Sequence, residues 1–214
     1  MASPDSHYFD EDPSAPSSPR EVTLALPDLT VTLATDRGVF GYERVDPGTK
    51  LLLLHAPAPS ARGDLLDLGC GYGPIAVTLA RRSPAATVWA VDVNERARDL
   101  CRRNAEHLGL TNVRVESPDG VPADIQLHTI WTNPPIRVGK PALHAMLERW
   151  LGALAPDGEA VLVVNKHLGS DSLQRWIAAN GYPTDRLASS GGYRILRSRR
   201  GMQESDSVRA DRRD

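Results

Sequence analysis

Asn133, Pro134 and Pro135, in the stretch IWTNPPIRVGK of residues 130–140, are the residue types that could hold a planar amine. Such an amine carries two N–H donors and a delocalised lone pair. Reaction at its nitrogen therefore needs acceptors that take both hydrogens and turn the lone pair toward an electrophile. The Asn133 side-chain oxygen and the Pro134 carbonyl oxygen are such acceptors, and no proton has to leave before attack. The prolines also supply stiffness, because Pro135 restricts Pro134 and Pro134 restricts Asn133. A strand through Ile130 and Trp131 must stop at Asn133, since neither proline can donate a ladder hydrogen bond. The result is a rigid loop at the carboxyl end of a strand, where open α/β sheets bind ligands. In isolation, Asn-Pro-Pro is also an ordinary turn.

What gives the loop weight is the stretch GDLLDLGCGYGP at residues 63–74. Leu65, Leu66 and Leu68 around Asp67 predict a strand buried on both faces. Gly69, Gly71 and Gly73 predict a turn that needs positive φ or lets a ligand touch bare backbone. Pro74 suits the first turn of a helix continuing through Ile75, Val77, Leu79 and Ala80. A dinucleotide fingerprint counted from Gly69 would need glycine where Pro74 stands, and no GK[ST] phosphate loop is present. What remains, an acid followed by GxGxG, resembles the first motif of the class I S-adenosylmethionine-dependent methyltransferases. That cofactor has no phosphate, but its methionine part must lie against the turn without Cβ clashes. Asp92 ends a predicted strand over Thr87–Val91, about twenty residues past the glycines, where an acid can accept from ribose hydroxyls. A capping or solvated acid is the alternative reading, but its phase relative to Gly71 favours the ligand role. Asp119 could reach a purine amine, although Asp119-Gly120 is also simply a turn former.

Taken in order, DLGCGYG, Asp92, Asp119 and TNPPI resemble the ribosomal RNA small-subunit guanine-exocyclic-amine methyltransferases, built on the methyltransferase small domain. TDRGVFGYERVDPGTKLLL and VVNKHLG resemble segments of that family's stand-alone, single-domain members. The resemblance implies a cofactor-contacting set of Asp67, Gly69, Cys70, Gly71, Gly73, Asp92, Val93, Asp119 and Asn133. In that set Asp67 and the glycines would line the methionine end, Asp92 the ribose and Asp119 the adenine. It further implies a catalytic loop of Asn133, Pro134 and Pro135, with Ile136, Arg137 and Lys140 on the substrate side. Two departures stand out. Ile136 occupies a place where the family's best-known pattern has an aromatic residue, so Arg137 would have to offer its guanidinium plane to the base. His128 stands two strand residues before Ile130, where an acid is frequent, and reads as a local change.

The remaining chain must position these groups. Strands and helices alternate after the glycine turn, which predicts an α/β fold: a Rossmann-like seven-stranded sheet, mostly parallel, with a small N-terminal β/α cap. The expected organisation is a disordered tail over 1–20, a cap over 21–60, the methyltransferase domain over 61–197 and a charged flexible tail over 198–214. In the cap, Pro27-Asp28 marks a hairpin between Val22 and Leu33, Gly38-Val39-Phe40 offers a third strand, and Leu51–His55 opens a helix ending before Pro57. Asn94 caps a helix whose apolar face is Ala97, Leu100, Cys101, Ala105 and Leu108, closed by Gly109. Ala142, Leu143, Met146, Leu147, Trp150 and Leu151 recur at helical spacing and read as core. Pro156-Asp157-Gly158 reads as a turn into a strand over Ala160–Val164, and Tyr193–Leu196 as a last strand in an antiparallel edge pair.

The 214 residues, 41% hydrophobic, suit one domain with a real core. A net charge of −2 excludes a global basic field, so RNA contact must come from a patch such as Arg137 and Lys140, joined by Lys166 and Arg194. The first residues lack the basic start and apolar run of a signal peptide, the two cysteines suggest no disulfide framework, and a cytoplasmic monomer is expected. The six histidines show no zinc spacing, so no metal is expected. The implied partner is ribosomal RNA or an assembling small ribosomal subunit, with no membrane. A second reading keeps the chemistry but takes a small molecule or a protein glutamine, and a third is a non-catalytic cofactor-binding assembly factor.

Overall fold

Residues 15–201 are described by a computed structural model. The chain opens with an antiparallel hairpin, β1 (Arg20–Leu26) and β2 (Leu29–Thr35), turned at Pro27-Asp28, and continues into α1 (Pro47–His55). Next come β3 (Arg62–Leu68), α2 (Pro74–Arg82), β4 (Ala85–Val91), α3 (Glu95–His107), β5 (Val113–Glu116) and β6 (Leu127–Thr132). The last elements are α4 (Lys140–Gly152), β7 (Leu154–Asn165), α5 (Ser170–Ala179), β8 (Thr184–Ser190) and β9 (Tyr193–Arg199). The main sheet has seven strands in the order β5-β4-β3-β6-β7-β9-β8. Its first five are mutually parallel, and β9 runs antiparallel between β7 and β8. This is the expected Rossmann-like arrangement.

Side-chain alternation along the strands divides the core in two. Leu65, Trp131, Val161, Val163 and Ile195 join one apolar cluster with the hairpin's Leu24 and Leu33, α1's Leu52 and Leu53, and the inner faces of α2 and α3. Their sequence neighbours Leu66, Ile130, Leu162, Val164 and Leu196 face the other way, into a cluster with Leu143, Leu147 and Trp150 of α4 and Leu173 and Ile177 of α5. Each fully buried Leu, Ile or Val contributes roughly 1.5–3 kcal/mol relative to exposure. Two covered faces explain why β3 and β7 read as apolar runs with no polar alternation. The hairpin and α1 thus belong to one of the sheet's own clusters.

Four local readings change. Gly38-Val39-Phe40 is not a strand: Val39 N donates to Asp36 O at 3.3 Å, and Gly38 and Gly41 both take φ of 80°, so the segment turns and cannot extend a ladder. Asp36 also ties down part of the expected N-terminal tail, because Ser17 Oγ donates to its Oδ2 at 2.6 Å. The rest of that tail up to residue 14, and the C-terminal tail from 202, lie outside the described residues. Helix α1 starts at Pro47 and not at Leu51, because Asp46 caps it by accepting from Thr49 N at 2.9 Å and Pro47 takes the first position. Pro156-Asp157-Gly158 is a bulge inside β7, which advances from Leu154 to Glu159 while β6 advances only from Leu127 to Thr129.

The order of strands places the functional corner. The chain leaves β3 for β4 on one side and returns to β6 on the other, so a crevice opens at the carboxyl ends of β3, β4 and β6.

Candidate cofactor cleft and active site

The glycine turn after β3 is closed upon itself. Gly69 N and Cys70 N both donate to Val91 O, at 2.8 and 3.0 Å, Gly71 N donates to Asp92 Oδ2 at 2.9 Å, and Gly73 N to Cys70 O at 2.9 Å. A phosphate loop keeps such N–H groups open for its anion. Here those of Gly69, Cys70 and Gly71 are spent on Val91 and Asp92 at the end of β4, and that of Gly73 within the turn. The turn therefore offers a ligand bare backbone and not donors. Gly69 has φ of 77° with nothing within 4 Å of where a Cβ would stand, so its open side faces the cleft. Gly73 is needed for another reason, since at φ of 96° a Cβ would meet Cys101 Sγ at 2.7 Å.

Asp67 lies beneath this turn with none of its surface exposed. Its Oδ2 accepts from Ala76 N at 2.8 Å in the first turn of α2, and Oδ1 has no hydrogen-bond partner. Burial pushes its carboxyl well above the usual carboxylate range. Asp67 thus anchors the strand to the helix and does not line the cleft. Cys70 is likewise buried, and contact with Cys101 together with burial raises its thiol. Asp92 does line the cleft, with Oδ1 accepting from Asn94 N at 2.9 Å. Burial raises its carboxyl too, opposed by the N–H groups of Asn94 and Gly71.

Across the crevice, Asn133 is locked. Its Nδ2 donates to Asp46 Oδ2 at 2.8 Å and to Thr49 Oγ1 at 3.0 Å. An ionised carboxylate only accepts, so the amide nitrogen must face Asp46 and Oδ1 is the atom left over. Pro134 O accepts from Ile136 N at 2.8 Å around Pro135 at φ −73° and ψ 76°, an inverse γ-turn. One lone pair of the Pro134 carbonyl is therefore taken, and one is free.

The glycine turn, Asp92 and the Asn133–Pro135 loop open on one cavity of about 740 Å³. It is lined by Gly69, Gly71, Asp92 and Val93 on one side and by Asp46 and Asn133–Val138 on the other. Phe40, Val93, Val138 and Leu168 line it and are exposed; of the large apolar side chains left exposed in the described residues, only Leu54 lies elsewhere. Apolar groups concentrated around one cleft mark a ligand site.

Residues 30–197 match the methyltransferase small domain model. The chain belongs to the methyltransferase small domain family. Among relatives, the Bacillus subtilis protein YbxB, named as uncharacterized, is 39% identical over 169 residues, 78% of this chain and 84% of that protein. The ribosomal RNA small subunit methyltransferase C of Pseudomonas aeruginosa strain LESB58 is 34% identical over 184 residues, 83% of this chain but 54% of that protein. The chain thus spans about half the length of that enzyme. A T. thermophilus 16S rRNA N2 guanine methyltransferase, solved with AdoMet and guanosine, superposes with a TM-score of 0.69 at 23% identity, over 86% of this chain and 51% of that one.

Membership in this family makes S-adenosylmethionine the cofactor, and the residues of the cleft fit it. The closed glycine turn suits a ligand without phosphate, Asp92 has carboxylate lone pairs to spare, and Val93 offers an apolar surface beside it. Other expected residues fall less directly on the cleft. Asp119 does not line it: its side chain is 92% exposed and pairs with Arg149 at 3.0 Å, while Arg149 also donates to Pro118 O. Ile136 and Arg137 are in the lining, but Lys140 sits exposed at the start of α4. Arg194 is ion-paired with Asp171.

Several residues were missed by the reading of sequence. Helix α4 buries Leu143, Leu147 and Trp150, as its spacing predicts, yet Ala142, Ala145, Met146 and Arg149 wall the cleft. Phe40 and Tyr193 line it as well, supplying aromatic rings that the loop itself lacks. Asp46 and Thr49 carried a signal in the Asp-Pro-Gly-Thr start of α1, an N-cap followed by proline.

Proposed function

We propose that this chain is an S-adenosylmethionine-dependent N-methyltransferase acting on the exocyclic amine of a guanine in small-subunit ribosomal RNA. The observation that carries the reading is the locked Asn133 amide, whose Nδ2 is engaged by Asp46 and Thr49 on a residue that lines the same cavity as the glycine turn and Asp92. When bound, the cofactor supplies an electrophilic methyl on its sulfonium. The chain's own part is to orient the amine: Asn133 Oδ1 and the free lone pair of Pro134 O would each accept one of its hydrogens, leaving the nitrogen lone pair directed into the cleft. Phe40, Tyr193 and Arg137 are the flat groups available to a base where Ile136 replaces an aromatic. The names of the relatives support ribosomal RNA as substrate. Among the described residues no helix is long and apolar enough to cross a membrane.

The test is to map methylated guanines in ribosomal RNA from a strain lacking the gene and from the same strain complemented with wild type or Asn133→Ala. One guanine should lose its methyl group in the deletion, regain it with wild type and not with the variant. Identical maps in all strains, with labelled methyl going to a protein glutamine or a small molecule, would replace the RNA reading by the alternative that shares its chemistry.

RNA contact should rest on a few exposed cations, because the net charge is −2. Arg137→Ala and Lys140→Ala, both at exposed positions beside the loop, are expected to weaken RNA binding and each to reduce the slope of log affinity against log salt by about one unit. Arg194→Ala should not, since Asp171 already engages that guanidinium. Filter binding across a salt series decides it, and unchanged slopes for both loop variants would remove RNA as the ligand of this rim.

A further inference from the structure

We propose that Asp46 is a positioning residue whose carboxylate sets which way the Asn133 amide faces, an inference that rests on the reading of Asn133 as the amine holder. The nitrogen and oxygen ends of an asparagine amide differ little in shape, so only the donor or acceptor character of neighbouring groups can choose between its two orientations. At Asn133 the neighbours are Asp46 Oδ2 at 2.8 Å and Thr49 Oγ1 at 3.0 Å. A hydroxyl can donate or accept, so Thr49 would tolerate either orientation. The carboxylate cannot donate, so Asp46 decides. Were the amide reversed, its oxygen would face the carboxylate and its nitrogen would point at an amine that itself offers only hydrogens.

Asp46 reaches this place through the fold. It is the N-cap of α1, fixed by Thr49 N at 2.9 Å and held ahead of Pro47. Helix α1 packs its Leu52 and Leu53 into the cluster formed with Val161 and Val163 of β7, so the cap is carried by the sheet and not by a loose loop. Tyr193 closes the other side, since a Cβ on Gly48 would meet its ring at 2.8 Å and Asp46 Oδ2 at 2.9 Å. The loop before α1 and the loop after β6 are thereby joined at Asn133 Nδ2, the opposite end of the amide from the Oδ1 that would touch substrate. Asp46 lines the cavity beside Asn133 but is given no step of its own.

The test separates capping from orientation. Asp46→Ser keeps a good N-cap for α1 but replaces the carboxylate by a hydroxyl that no longer dictates the amide's direction. It should melt close to wild type, bind S-adenosylmethionine with unchanged affinity, and lose about tenfold in single-turnover methyl transfer at saturating cofactor. Asp46→Asn, which can still present an acceptor oxygen, should recover part of that loss. A readout without substrate comes from the side-chain NH2 resonances of Asn133, assigned by their loss in Asn133→Ala. They should be protected from solvent exchange in wild type and exposed to it in Asp46→Ser. Unchanged exchange, or a changed exchange with the wild-type transfer rate, would overturn the proposal. Altered exchange in Asp46→Ser, with no transfer to ribosomal RNA even by wild type, would establish the contact and overturn the substrate reading instead.

Discussion

Asp92→Ala is expected to weaken S-adenosylmethionine binding by roughly 1–3 kcal/mol, the cost of leaving buried polar groups without partners. Two groups of the chain itself lose their acceptor in this variant, Gly71 N and Asn94 N, in addition to the ribose hydroxyls the carboxylate would accept from. Thermal melts of the cofactor-free protein report the first loss, and calorimetric titration with cofactor reports the second. The same carboxyl gives binding a pH dependence of definite sign. Burial raises it above the ordinary aspartate value, and hydroxyl donors favour its ionised form. Cofactor affinity should then fall as pH is lowered through that raised value, beginning at a higher pH than a solvated aspartate would give, and binding should release protons. Unchanged affinity in Asp92→Ala would withdraw the ribose assignment. Tight binding of a dinucleotide by the wild type would withdraw the cofactor.

The parts of this site legible in the sequence are those written as short-range exceptions. Three glycines in alternation cannot be a regular element, and Asn133-Pro134-Pro135 cannot continue a strand, so both announced themselves. Asp92 was legible because its distance from the glycines fixes the phase of the next strand end. Asp67 was legible as part of the motif but not in its placement: only the fold shows its carboxylate under the turn, engaged with Ala76 N. The placement of Asp119 outside the cleft lining was not legible for a similar reason, since its partner Arg149 comes thirty residues later on α4. The wall formed by Ala142, Ala145, Met146 and Arg149 was hidden by its own helix, because the periodicity that exposes a buried stripe says nothing about which neighbouring stripe borders a ligand.

Residues that act through long-range contacts were the least readable. The Asp46–Asn133 contact joins positions 87 apart in the chain. Each half has a sufficient local explanation, a helix cap for one and a turn for the other, so local logic left nothing over to suggest the pairing. The Gly38–Phe40 segment shows the converse error. Val39 and Phe40 have strand-forming side chains, but the flanking Gly38 and Gly41 at φ of 80° make a turn that leaves Phe40 exposed in the cleft.

Asn133→Ala should lower the methyl-transfer rate by on the order of a hundredfold or more, the larger of the two effects, with S-adenosylmethionine affinity almost unchanged. The asymmetry follows from what Oδ1 would do. An acceptor that turns the amine lone pair toward the reacting carbon acts most in the transition state, while the cofactor would rest mainly against the opposite wall formed by the glycine turn and Asp92. Removing the amide also leaves Asp46 Oδ2 and Thr49 Oγ1 without a shared donor. Asp46 keeps Thr49 N, however, so α1 should remain capped and the melt should fall only modestly. Asn133→Asp is the sharper variant. It keeps an acceptor oxygen toward the substrate but sets a second carboxylate within hydrogen-bonding distance of Asp46, and two like charges so close favour a shared proton. Asn133→Asp should therefore retain more activity than Asn133→Ala, and its rate should rise as pH falls far enough for that proton to bind between the two acids, restoring a donor toward Asp46. Single-turnover transfer to ribosomal RNA at saturating cofactor, measured over a pH series, checks both. Full activity in Asn133→Ala would sink the orienting role, and loss of cofactor binding in that variant would make the loop a structural brace of the cleft.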